Sequence, residues 1–234
     1  MQRFFLKKVE PKGVFERDVC HQILNVLRMQ TGDQVILLDN TGIEYIAELL
    51  IKKKEVTYSV LTSHQNGNEP SIKVVLYQAL LKSQDRFEWS AQKATELGVT
   101  CIIPLVTERC QVRELKRKDR VEKIMKEASE QCERAIIPAL TEPQTLESIF
   151  NNPPQGSVIF CCESLRSEPM NIPTLENEVH IIVGPEGGFT EDELAQIYTF
   201  CDTHPDSHTV SLGKRILRSE TASIAMLSCI LTQY

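Results

Sequence analysis

Ile181-Ile182-Val183-Gly184-Pro185-Glu186-Gly187-Gly188-Phe189-Thr190 decides the fold: a short apolar strand runs straight into three glycines within five residues, and a helix begins behind them. Thr190-Glu191-Asp192-Glu193 has the spacing of a capping box, in which a hydroxyl and the carboxylate three residues on satisfy each other's backbone amides. The helix start is therefore well marked. Glycines at a strand-to-helix turn permit positive φ and let the backbone come close to a ligand. A plain tight turn needs one of them, or two. The loop is neither Gly-x-Gly-x-x-Gly nor a Gly-Lys-Ser/Thr phosphate loop. Glu186, Glu191, Asp192 and Glu193 also make its surroundings acidic. An adenosine or a sulfonium-bearing cofactor suits such a loop better than a pyrophosphate.

Outward from this stretch the chain alternates. Short apolar runs at 72–76, 101–105, 158–162, 179–183 and 209–212 predict strands. Between and after them, helical patterns fall at 84–97 (closed by Gly98), 116–134, from Glu191, and at 219–231. This rhythm predicts an α/β domain with a largely parallel sheet covered on both faces. Ligands of such sheets lie at the carboxyl ends of the strands. The first seventy residues read differently. Strands at 2–6, 34–38, 43–50 and 55–61, with one helix at 17–29, predict a small β-barrel. The polar stretch Ser63-His64-Gln65-Asn66-Gly67-Asn68-Glu69-Pro70 looks like a linker. The expected domains are therefore 1–70 and 71–234.

Two further strand ends attract attention. After the last strand comes Ser211-Leu212-Gly213-Lys214-Arg215-Ile216-Leu217-Arg218-Ser219-Glu220-Thr221-Ala222, where an aliphatic pair is bracketed by cations. That suits an adenine-sized slot beside a place that meets phosphate. Ser219 is expected to cap the last helix, with Glu220 in its first turn. The third loop, Cys162-Glu163-Ser164-Leu165-Arg166, follows the 158–162 strand.

Charge is segregated. The net charge is −6, yet residues 140–210 hold twelve acidic side chains and one basic one, Arg166. The remainder carries a surplus of five positive charges, gathered near Arg3 to Arg17, between Arg109 and Lys126, and at Lys214 to Arg218. A positive face on an acidic protein can hold a polyanion. The eight cysteines contain no Cys-x-x-Cys pair and mostly sit in apolar runs, as small hydrophobes do. The run from Cys201 to His208 has ligand-like spacing but reads as a loop, and no metal is expected. No apolar run reaches the roughly 18–20 residues of a membrane span. The opening residues are too short an apolar stretch for a secretory signal, so a cytoplasmic protein is expected.

Four blocks carry a resemblance: Lys93-Ala-Thr-Glu-Leu-Gly-Val99, Glu127-Ala-Ser-Glu-Gln-Cys-Glu-Arg134, Gly184-Pro-Glu-Gly-Gly-Phe189 and Leu212-Gly-Lys-Arg-Ile-Leu-Arg-Ser-Glu-Thr-Ala222. With Arg3-Phe4-Phe5 at the start, they resemble in order the RsmE family, 16S ribosomal RNA uridine N3-methyltransferases of the SPOUT superfamily. Ser219 stands where that family more often has Thr. The resemblance implies an N-terminal PUA-like barrel and a C-terminal trefoil-knotted α/β methyltransferase domain, a rare exception to the rule against threaded chains. It implies S-adenosylmethionine held by Leu165, Gly184, Pro185, Gly187, Leu212, Gly213, Ile216 and Leu217, and a homodimer. It also implies methylation at N3 of the uridine at 16S position 1498, in the small ribosomal subunit or its rRNA.

Removing or neutralising the N3 proton makes a nearby cation useful. Arg218 is the first candidate for that role and Glu220 a possible base. Gln131 and Arg134, in a matched block, are expected to meet RNA or the partner subunit, while Arg3, Lys7, Arg17 and Arg28 bind phosphates. A branched side chain at Gly187 is expected to block the cofactor. Two other readings stay open: a SPOUT enzyme acting on ribose 2′-oxygen or a tRNA base, and a non-catalytic RNA-binding assembly factor.

Overall fold

The computed structural model describes residues 1–165 and 172–232. The chain forms two compact units, Met1–Glu69 with Lys126–Ile137, and Pro70–Met125 with Pro138–Tyr234.

In the first unit β1 (Gln2–Phe5), β2 (Lys12–Val14), α1 (Arg17–His21), β3 (Gln34–Leu38), β4 (Ile43–Lys52) and β5 (Glu55–Gln65) follow one another. The strands form one sheet in the order β1-β3-β4-β5-β2, parallel only between β1 and β3. Alternate residues face a core that includes Phe4, Phe15, Leu37, Leu49 and Tyr58. The Phe15 ring lies 5.8 Å from Phe4 and 5.1 Å from Tyr58, centroid to centroid. Each such side chain contributes about 1.5–3 kcal/mol on burial. The helix predicted over 17–29 is shorter. It continues past His21 as a π turn over Gln22–Val26, and Arg28 stops the chain at φ 54°. The wider turn breaks the 3.6-residue phase, which leaves Val26 66% exposed.

The predicted linker is a correction. Ser63, His64 and Gln65 complete β5, and Asn66 is buried. Its amide donates to Glu44 Oε1 and, at 3.1 Å, to the Glu133 carbonyl. Glu69 accepts from Arg134 Nη2 at 2.7 Å and Nε at 3.1 Å, and from the backbone amides of Ala135 and Ile136 at 3.2 Å each. Polar composition here reflects internal hydrogen bonding and not a solvated tether.

Two arginines expected at the RNA are likewise internal. Arg3 has a side chain 7% exposed and pairs with Glu44 at 2.6 Å and Glu133 at 3.4 Å. The Arg134 side chain is 5% exposed beside Glu69. A guanidinium held this way organises its own unit and does not reach a phosphate outside it. Arg17, Arg28 and Gln131 are exposed.

The second unit holds β6 (Lys73–Ala79), α2 (Gln84–Leu97), β7 (Cys101–Val106), α3 (Lys118–Gln131, its last turns in the first unit), β8 (Ala139–Leu140), β9 (Gln144–Thr145), α4 (Leu146–Asn151), β10 (Ser157–Cys161), β11 (Glu178–Val183), α5 (Glu191–Thr203), β12 (Ser207–Val210) and α6 (Ser219–Leu231). The sheet runs β12-β10-β11-β6-β7-β8, with β9 also on β7, and every pairing is parallel. Its central strands are apolar on both faces, with Leu76, Ile102, Ile159 and Ile181 fully buried, as a sheet covered by helices requires. Gly98 ends α2 at φ 107°, as its position predicted. After β12, at one edge, the chain returns so that α6 packs on β6, β11 and α2.

Glu69→Ala should leave the Arg134 guanidinium buried without this carboxylate and destabilise the first unit by about 3 kcal/mol. Urea denaturation followed by circular dichroism measures this; a cost below about 1 kcal/mol contradicts the assignment.

Candidate functional site

β10, β11 and β12 run parallel, so their carboxyl ends and the loops leaving them share one edge of the sheet. Between these loops lies a cavity of about 390 Å³. That is in the range of small-molecule sites. Its floor is the end of β11 and the start of α6, with Val183, Gly184, Ser219 and Ala222.

The glycine loop is shaped from within. Gly188 has φ +66° and its amide donates to the Pro185 carbonyl at 2.9 Å. A Cβ on Gly188 would stand 2.9 Å from Glu163 Oε1, on the loop after β10. A Cβ on Gly184 would meet the Phe189 ring at 3.3 Å. Thr190 caps α5 as the sequence predicted: its hydroxyl accepts from the Glu193 amide at 3.2 Å, and its own amide donates to Glu193 Oε2 at 2.9 Å. The other Glu193 oxygen accepts from the Glu108 amide at 2.8 Å, tying the loop after β7 to the start of α5.

Gly187 is explained differently from its neighbours. It does not line the cavity. A Cβ there would meet Arg109 Cδ at 3.3 Å and Cβ at 3.4 Å, and Arg109 Nη1 donates to the Gly187 carbonyl at 2.7 Å. Glycine at this position makes room for an arginine stem, so a branched residue collides with Arg109 first.

Of the other residues singled out in the sequence, Gly184, Pro185, Leu212, Gly213 and Leu217 line the cavity. Gly213 has φ +94° and a Cβ there would touch nothing within 4 Å, so its role is conformational. The aliphatic pair is split: Leu217 turns in, while Ile216 is 65% exposed. Leu165 ends a 3-10 turn, Glu163–Leu165. Its side chain and the whole of Arg166 lie outside the described residues.

Ser219 does not cap α6. Arg218 occupies the cap position, and the Ser219 hydroxyl donates to the Gly184 carbonyl at 2.6 Å. Arg218 is exposed. Glu220 is 6% exposed; one oxygen lies 3.8 Å from Arg86 Nε and the other has no hydrogen-bond partner among the described residues. Neither Arg218 nor Glu220 lines the cavity.

Arg109 and Cys161 also line the cavity, outside the three loops the sequence reading singled out. Each sits at or just beyond the carboxyl end of a strand, so the strand-end rule held the signal. Burial pushes the Cys162 thiol up to about 12, with Cys201 adding to it, and burial also raises Cys161. Both stay protonated at neutral pH, so the cavity offers no thiolate nucleophile. Its charged lining is acidic at Glu163, Glu186 and Glu191, against Arg109 and Arg215. The arrangement favours a bound group with cationic character, approached closely by backbone. Among the described residues no group of three His, Cys, Asp or Glu side chains could hold a metal ion. In the 201–208 run, the His204 ring stacks on Phe200 at 4.1 Å.

The chain resembles known proteins along nearly its whole length. A family model described as an RNA methyltransferase domain matches residues 68–231, and one described as an RNA methyltransferase PUA domain matches 17–61. The chain is 32% identical to the ribosomal RNA small subunit methyltransferase E of Bacillus subtilis, over 98% of this chain and 96% of that protein. The Rickettsia conorii protein of the same name is 32% identical, over 89% and 84%. Among solved structures, the Neisseria gonorrhoeae ribosomal RNA small subunit methyltransferase E bound to S-adenosyl methionine matches with a TM-score of 0.88 and 30% identity, covering 100% of this chain and 98% of that one. A methyltransferase from Legionella pneumophila in complex with the same cofactor matches with a TM-score of 0.80 and 32% identity, over 99% and 97%.

Gly188→Ala imposes left-handed strain and a contact with Glu163, and should lower stability by about 1–2 kcal/mol. Gly187→Ala, free of that strain, should cost less. Parallel urea titrations give the order; the reverse order contradicts this account of the loop.

Proposed function

The chain belongs to the ribosomal RNA small subunit methyltransferase E family, and from that premise we propose that it methylates N3 of a uridine in 16S ribosomal RNA, at the family's position 1498, with S-adenosylmethionine as donor. The observation that carries the reading is the cavity built by three strand-end loops at one edge of a parallel sheet. The residues fit such a donor. Gly184 and Gly213 bring backbone to the cavity wall, Leu212 and Leu217 supply apolar walls, and Glu163, Glu186 and Glu191 complement a sulfonium. When bound, the donor supplies an electrophilic methyl group on a positively charged sulfur.

The chain's own task is to present the base and manage its proton. N3 of uracil is a weak acid, and holding it close and aligned supplies much of the rate. Arg218, exposed at the mouth of α6 and next to the cavity-lining Ser219, stabilises the anion that forms. Glu220, whose free oxygen lacks a partner among the described residues, is the carboxylate assigned to accept the proton. The neutral thiols of Cys161 and Cys162 do not compete for the methyl group. A paired uridine hides N3, so the target is unpaired or turned out of its helix. Arg17, Arg28 and Gln131 are the surface groups assigned to the RNA. In this reading the enzyme is a cytoplasmic homodimer that needs no metal. No helix among the described residues is long and apolar enough to cross a membrane.

Deleting the gene should abolish N3-methyluridine in 16S rRNA, and restoring it should return the mark, as read by nucleoside mass spectrometry. Arg218→Ala should lower kcat by about 10² or more with AdoMet affinity within about twofold of wild type. Persistence of the mark in the deletion strain, with loss of a ribose or tRNA methylation instead, would falsify the assignment to uracil N3.

A further inference from the structure

Gln78 lies in β6 among Val, Leu, Tyr and Ala side chains and is 1% exposed. A buried side-chain amide must have its two donors and its acceptor oxygen satisfied. Gln78 meets the requirement in full. Its oxygen accepts from Ser90 Oγ of α2 at 2.9 Å and from Ser223 Oγ of α6 at 2.5 Å. Its Nε2 donates to the Ala79 carbonyl at 3.2 Å and to Ser219 Oγ at 2.9 Å.

The arrangement has a direction. The Ala79 carbonyl can only accept, so the amide end that faces it must be the nitrogen. That same nitrogen faces Ser219, whose hydroxyl therefore receives a hydrogen from Gln78. Ser219 has one hydrogen of its own, and it goes to the Gly184 carbonyl at 2.6 Å. Gly184 is the first residue of the glycine loop and is followed by Pro185, which has no N–H to help hold the turn. Gly184 and Ser219 both line the cavity, whereas Gln78 stands behind them.

We propose that Gln78 is a positioning residue for methyl-donor binding: by donating to Ser219 it commits that hydroxyl to the Gly184 carbonyl and fixes the first peptide of the loop against α6. The inference rests on the cavity being the S-adenosylmethionine site. Without Gln78, the Ser219 hydroxyl loses its donor and its hydrogen is no longer directed at Gly184. Without the hydroxyl, the Gly184 carbonyl loses its partner and the loop must be ordered when the donor binds.

The test is a double-mutant cycle read by calorimetric titration of AdoMet into the full-length protein, with thermal melting to confirm that each variant is folded at the titration temperature. Ser219→Ala should weaken AdoMet about tenfold, the effect expected for one lost hydrogen bond to a buried carbonyl. Ser219→Thr keeps the hydroxyl and should stay within about twofold of wild type. Gln78→Met should weaken binding about five- to tenfold alone, yet add nothing measurable in the Ser219→Ala background, because it acts through that hydroxyl. Additive losses would assign Gln78 a packing role only and overturn the proposal. So would wild-type affinity in a folded Ser219→Ala variant. If Gln78→Met does not fold, the Ala and Thr variants at Ser219 decide: equal affinities for AdoMet overturn the lock on Gly184, and a gap of about tenfold supports it. Failure of the wild-type protein to bind AdoMet is a separate result, which removes the cofactor reading itself.

Discussion

Parallel pairing of β10 with both β11 and β12 is the constraint on which the site depends. Parallel strands all end on the same side, so three loops distant in sequence leave the sheet side by side. Their residues then need only local chemistry to form one cavity: positive φ at Gly188 and Gly213, a capped start to α5, and a 3-10 turn after β10. α6 closes the floor, because the chain leaves the edge strand β12 and returns to pack on β6, β11 and α2. The second unit has the SPOUT methyltransferase architecture, and the first is PUA-like.

Two buried polar side chains inside this apolar framework each join several elements. Gln78 joins α2, β6 and α6, and through Ser219 it reaches the loop after β11. In the first unit Glu44 performs a comparable task, taking hydrogen bonds from Arg3 and Asn66. Burial alone would raise the Glu44 carboxyl, but hydrogen bonds from Asn66 and Arg3, and the positive charge of Arg3, hold it below its usual range. The pair therefore contributes to stability at neutral pH, and that contribution fades as pH falls through the lowered value. Both clusters show why buried polar side chains appear as isolated letters in apolar strands: each organises several elements at once.

Much of this was legible in the sequence, for physical reasons. The glycine loop, the capping box at Thr190, the Gly98 stop and the change from β-rich to alternating rhythm all depend on local chemistry, and the structure has each of them. Arg3 and Arg134 were misread as surface cations because charge alone does not reveal that Glu44, Glu69 and Glu133 fold back onto them. The stretch from Ser63 to Pro70 was misread for the same reason, since Gln65, Asn66, Asn68 and Glu69 hydrogen-bond within the first unit. Gly187 reads as a ligand contact in the sequence because nothing local reveals Arg109, seventy-eight positions earlier, lying across it. β2, β8 and β9 are two or three residues long and carry no periodic signal. The partners of Gln78 are up to 145 positions away, which no pattern of spacing can encode.

A crystal structure of the protein grown with S-adenosylmethionine tests the central claim most directly. The account predicts density for the donor between the loops after β10, β11 and β12, its adenosine against Leu212 and Leu217 and the backbone at Gly184 and Gly213. Clear density for the donor at another place, with this cavity holding only solvent, would contradict it.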